Sequence, residues 1–174
     1  STGGLVRLNS DGSRDTSFSP GPTNFGGLAP VFAMQIQSDG QLVVGGEFAT
    51  VDSVAVGNIA RLNTNGSLDT SFTAGTGANG NVYGIATQPD QKLIVTGEFT
   101  QFAGQQYASL VRLGSNGTVD SSFAPSGIAL GAQANRAAVQ PNGKIVVVGN
   151  FESYLGSPNG IAQFNPNGSL DAGF

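Results

Sequence analysis

Short apolar runs recur along this chain, each ended by a polar turn. Val31–Gln37, Val82–Gln88 and Ala134–Gln140 read as first strands. Each is closed by Ser-Asp-Gly, Pro-Asp-Gln or Pro-Asn-Gly, where Pro presets the angle that opens a turn and Gly or Asn tolerates the positive φ that closes it. The second strands, Leu42–Gly46, Leu93–Gly97 and Ile145–Gly149, are apolar without alternation, as in a strand buried on both faces. A variable, Gly-containing loop leads to a third strand, Asn58–Asn63 in the first unit. An Asp-Gly or Asn-Gly pair follows at residues 11–12, 65–66, 116–117 and 167–168, a strong hairpin signal. After it, Leu68 and Phe72 fall on one side of an alternating run and predict a short fourth strand. A single turn capped by Asp69 through Ser71 and Phe72 is the competing reading. No segment keeps a helical period.

The elements repeat as a unit. "RLNSDGSRDTSF", "RLNTNGSLDTSF", "RLGSNGTVDSSF" and "QFNPNGSLDAGF" end at Phe18, Phe72, Phe123 and Phe174, and a second block, Gln37–Phe48, Gln88–Phe99 and Gln140–Phe151, keeps the same spacing. Two separated blocks in step define full units at 19–72, 73–123 and 124–174, with 1–18 as the tail of a partial one. Four antiparallel strands per unit, repeated, predict an all-β chain of β-propeller blades in one domain, residues 1–174. The first strands carry small residues on one face, Ala33, Gly84, Ala86 and Ala138, which suits a crowded position near a central axis.

The two blocks, an apolar strand after "QSDGQ", "QPDQK" or "QPNGK", and the "RLN-DGS-D-SF" pattern, resemble the delta-60 repeat. That resemblance covers almost the whole chain. It implies a bacterial β-propeller repeat, found in secreted or cell-surface proteins, with no assigned biochemical function.

Propellers close with about four to eight blades, so three units cannot form a ring. An open array leaves apolar blade faces in water and strand edges unpaired. The expected partner is therefore a second copy, two chains making a six-bladed ring with two-fold symmetry. Further repeats of a longer parent protein, or open stacking, are the alternatives. In the paired ring, 1–18 would act as an extra strand, overlapping the join or clasping the neighbour.

Composition narrows the chemistry. Of 174 residues, 27 are Gly and only 10% are charged, yet 39% are hydrophobic, which describes a folded, turn-rich protein rather than a disordered one. The net charge of −4 contains no basic cluster, so nucleic acid is an unsuitable partner. No apolar run approaches the ~20 residues that span a bilayer, so membrane insertion is not expected. There is no Cys and no His, which removes disulfides, thiolate sites and the usual general bases and nucleophiles. Of the eleven acids, all but Asp52 and Glu152 recur at repeat positions. A catalytic group need appear only once, so no catalytic residue and no cofactor are expected.

Asp15, Asp69, Asp120 and Asp171 close every copy and read as structural turn caps. The Asn9–Asp15 stretch loosely resembles a calcium loop, but turn chemistry explains it more simply, and no metal site is assigned. Glu47 and Arg61 are fourteen residues apart, as are Glu98 and Arg112, and both charges are lost together at Asn150 and Gln163. That pattern predicts Glu–Arg pairs between the second and third strands. A ligand, protein or glycan, would meet the variable loops, where Phe102, Tyr107 and Tyr154 are the aromatic candidates, with core or inter-blade packing as the competing reading for each. Arg136 stands where other units have Ala33 and Gly84, placed to line a channel, to attract an anion or simply to reach solvent at the blade edge. The leading expectation is a non-catalytic structural or binding module. A carbohydrate-binding module comes second and a glycan-active enzyme third.

Overall fold

The computed structural model describes residues 5–18, 25, 29–125, 132–151 and 160–174. Among them every regular element is a strand. The first unit holds β1 (Val31–Ile36), β2 (Leu42–Gly46), a small hairpin of β3 (Thr50–Val51) and β4 (Val54–Ala55), and β5 (Ile59–Leu62). The second holds β6 (Val82–Thr87), β7 (Leu93–Gly97), a hairpin of β8 (Gln101–Phe102) and β9 (Gln105–Gln106), and β10 (Leu110–Leu113). The third holds β11 (Gln133–Val139), β12 (Ile145–Asn150) and β13 (Ile161–Phe164).

Each unit is one antiparallel sheet, ordered β1-β2-β5, β6-β7-β10 and β11-β12-β13. The fourth strand takes its shortest form, a single antiparallel bridge: Leu62 to Leu68, Leu113 to Val119, Phe164 to Leu170, and Leu8 to Arg14 in the partial unit. It stops there because the next residue, an Asp, turns the chain by accepting from the Ser or Gly two residues on. These are propeller blades, arranged in chain order. The first strands lie side by side along the inner side, β6 between β1 and β11.

The core lies between blades rather than within them, since a single sheet has no second layer of its own. Val43 and Ile59 of the first blade pack with Val82, Leu93, Val95, Val111 and Leu113 of the second. Ile94 and Leu110 on the second blade's other face pack with Ile145, Val147 and Phe164 of the third. The outer part of the first blade, Val44, Ala60 and Leu62, is covered by Leu5 and Phe25. Alternate residues of each middle strand thus serve opposite interfaces, which is why β2 and β7 read as unbroken apolar runs.

All three inner strands are bulged at the same place. The register shifts between Val31 and Ala33, between Val82 and Gly84, and between Ala134 and Arg136. A bulge leaves its extra residue out of the ladder and sharpens the local twist.

Candidate functional site

Two constellations of polar side chains join the blades. The first grows from the third strand. Hairpin pairing of Leu62 with Leu68 sets Asp69 beside Arg61, and Asp69 N–H donates to Arg61 O at 2.8 Å. Arg61 Nε then donates to Asp69 Oδ2 at 2.7 Å, Nη2 to Ser71 Oγ at 3.3 Å, and Nη1 to Ser115 O of the next blade at 2.8 Å. The guanidinium lies over the Phe72 ring, 5.0 Å from its centre. The same set recurs with Arg112, Asp120, Ser122, Phe123 and Pro166 O, and with Arg7, Asp15, Ser17, Phe18 and Thr64 O. Each Arg clamps its own unit to the turn of the next. The turn fits because Gly117 has φ +92 and a Cβ there would stand 2.9 Å from the Phe72 ring.

This geometry corrects the Glu–Arg pairing. Glu47 lies past the far end of β2, whereas Arg61 pairs with Val43, so about four residues, or ~13 Å, separate them. Arg61 and Arg112 bind Asp69 and Asp120 instead, eight residues away. Glu98 accepts from Asn81 Nδ2 at 2.7 Å. Where Gln163 replaces the Arg, Lys144 Nζ reaches Asp171 at 2.6 Å. Lys92 adds a contact of 2.9 Å to Asp120 from the equivalent position, and Gln41 one of 2.9 Å to Asp69.

The clamps set the acid response. Burial raises the Asp69 carboxyl, but hydrogen bonds from Ser71, Arg61 and Gln41 outweigh it and bring it from 3.8 to about 2. Asp15 is also brought to about 2, chiefly by Ser17 and then Arg7. Asp120 and Asp171 are held below the usual range, foremost by Lys92 and Lys144. A depressed carboxyl contributes stability that is complete above its unfolded value and is lost as pH falls through the folded one. Urea midpoints should therefore be level down to about pH 5 and decline between about pH 4 and about pH 2. Asp69→Asn should flatten part of that decline, and a fall concentrated near neutrality would contradict the assignment.

The second constellation lies on the inner strands. Phe32 and Tyr83, the two bulge residues of β1 and β6, face each other with ring centres 5.4 Å apart. Asn81 Nδ2 donates to Tyr83 Oη at 3.3 Å as well as to Glu98. The Tyr83 hydroxyl is pushed above its usual 10, first by burial and then by the Glu98 and Glu47 carboxylates, with Asn81 acting the other way. Arg136 reaches across from β11, donating to Tyr83 O, to Asn135 O at 2.9 Å and to Phe32 O at 3.3 Å. Such closeness needs Gly84, whose absent Cβ would stand 3.2 Å from Arg136 Cα.

The remaining candidates separate. Phe102 is fully buried in the core between the first two blades, edge-on to Phe99, so it is withdrawn as a ligand contact. Its loop folds down as a hairpin and bridges to Ala78. Tyr107 is half-buried against the same core. Tyr154 and Glu152 lie outside the described residues. Among the described residues, Phe102 and Tyr107 meet only in the core, whereas Arg136 meets main-chain oxygens of all three inner strands. The bulges and the eight-residue Arg–Asp spacing escaped sequence reasoning, although the hairpin register already put each Arg beside its Asp.

A repeated sheet, a core held between repeats and an arginine clamp at each junction define a β-propeller repeat protein. The chain belongs to the family described as "Domain of unknown function (DUF5122) beta-propeller", matched at residues 1–18, 37–72, 88–123 and 140–174. No curated protein matches it significantly. Among solved structures, one described as a presumed gluconolactonase has a TM-score of 0.46 at 15% identity, covering 79% of this chain and 44% of its own. A protein of unknown function from Bacteroides caccae has a TM-score of 0.34 at 10% identity, covering 95% and 72%. The chain thus spans under half the length of the first of these structures.

Proposed function

We infer that the chain is a non-catalytic propeller module of a secreted or cell-surface bacterial protein, a scaffold or binding platform whose ring is completed by a second copy or by further repeats of a longer parent. The resemblance to the delta-60 repeat supports the location. The lack of His and Cys supports the non-catalytic reading.

One observation carries the reading. Val43 and Ile94 are fully buried at their interfaces, whereas their counterpart on the third blade, Val146, is only half-buried. Val148 beside it is 39% exposed. At the other end, Met34 and Ile36 are 64% and 67% exposed, while their counterparts Ala137 and Val139 pack into a core. The two ends are the two halves of one interface that the chain already builds twice internally. A second copy offers each end the surface it fits, and burying it returns ~25 cal/mol per Å² of apolar area. Leu5 and Phe25 already pack on the outer part of the first blade, and Arg7 donates to Thr64 O there, where the outer strand of a preceding blade belongs. The Phe32–Tyr83 rings beside Asn81 and Glu98 favour carbohydrate as the ligand of such a platform, since aromatic faces stack on sugars and polar groups orient them.

Light scattering should give a dimer mass for the chain and a monomer mass for Val148→Lys with an unchanged circular dichroism spectrum. A compact monomer of the unmodified chain at micromolar concentration sinks the pairing.

A further inference from the structure

We propose that the three inner strands build a cation site from their own backbone, and that Arg136 is the cation this chain keeps in it. The bulge in β1 leaves Phe32 as the extra residue, unpaired in its ladder. The same bulge in β6 and β11 does this for Tyr83 and Asn135. All three oxygens converge on one guanidinium: Nη1 donates to Tyr83 O and Asn135 O, and Nη2 to Phe32 O.

A carbonyl outside its ladder is an acceptor in need of a donor. Three of them from three blades, gathered about one point, make a negative pole that favours positive charge. Backbone carbonyls are the hard oxygen ligands that calcium and alkali ions accept. The position of Arg136 makes the same point. Its counterparts, Ala33 and Gly84, have no group that could reach these oxygens, so one side chain from one unit serves carbonyls from all three. The clamp residues are written into several units, whereas this cation is supplied once.

Because main-chain atoms form the site, truncating Arg136 leaves the oxygens in place and opens a space for a hydrated ion. Three neutral protein oxygens with water completing the shell place calcium at or beyond the weak end of the range for acidic sites, a dissociation constant of about 10⁻³ M or more, because affinity follows ligand charge.

Terbium, a calcium mimic that emits when an excited tyrosine lies close by, reads the site directly. The chain has no Trp, and Tyr83 itself provides one of the carbonyls. In Arg136→Ala, emission on tyrosine excitation should exceed that of the unmodified protein about tenfold and be displaced by calcium chloride in the range above. Calcium chloride should raise the melting temperature of Arg136→Ala but not of the unmodified protein, and choline chloride at equal ionic strength should not substitute. Adding Tyr83→Phe, which keeps the carbonyl, should abolish the emission and preserve the calcium effect on melting. Arg136→Lys should behave like the unmodified protein. The proposal is overturned by emission from Arg136→Ala no stronger than from the parent, or by emission that survives Tyr83→Phe. It is equally overturned if calcium fails to raise the variant's melting temperature, or fails to refold it should it be unfolded.

Discussion

Arg61→Ala should destabilise the chain by about 3 kcal/mol, at the low end of the cost of breaking a buried ion pair. Both side chains of the pair are 10% exposed, so solvent cannot replace what is removed. The variant loses the bond to Asp69, the inter-blade bond to Ser115 O and the contact over Phe72. Asp69 keeps its bonds from Ser71 and Gln41, which holds the loss below the upper end. Arg7→Ala makes the control. Its side chain is 41% exposed, and exposed pairs contribute about 0–1 kcal/mol. The third unit supplies a rescue, since there Lys144 binds the Asp that no Arg serves. Arg61→Gln combined with Gln41→Lys should therefore recover part of the stability lost by Arg61→Gln alone. Urea unfolding of the four variants checks this. Equal losses at Arg7 and Arg61 would remove the clamp as a source of stability.

Gly97→Ala should cost about 3 kcal/mol or more, the upper range for overpacking. The added Cβ would stand 2.0 Å from Asn81 O and 2.9 Å from the Phe99 ring. Asn81 O is backbone and already accepts from Glu98 N at 3.0 Å, so it cannot turn aside without losing that bond. Gly46 and Gly149 meet the same obstacle, with Pro30 O and Gln133 O at 2.1 and 2.0 Å. Gly104→Ala is the contrast: it has φ +76 and nothing within 4 Å, so it should cost only the backbone term of about 1–2 kcal/mol. Thermal unfolding separates the two. If Gly97→Ala melts no lower than Gly104→Ala, the close approach beside the bulge is not a constraint on this fold.

The residues differ in how far they could be read beforehand. Alternation and turn dipeptides are local, so the strands around Val43, Val95 and Val147 stood out from the amino-acid order. The partner of Arg61 required a register. Two recurring spacings were present, fourteen residues to Glu47 and eight to Asp69, and only folding the hairpin about Asn65-Gly66 distinguishes them. Phe102 looked exposed because its loop is variable and polar, yet the loop closes as a hairpin that delivers the ring to the inter-blade core. Arg136 was conspicuous as a departure from the repeat, but its partners are main-chain oxygens, and a carbonyl has the same identity in every residue.

The order of residues by itself determined the period, the strands, the turns and the apolar faces, because each depends on neighbours a few positions apart. Tertiary structure decided which charges meet, which aromatic rings are buried and what gathers on the inner strands. The charge pairs follow from hairpin register within a unit, and the buried rings and the inner-strand contacts join residues of different blades, so both depend on register, bulges and blade packing rather than on side-chain type alone.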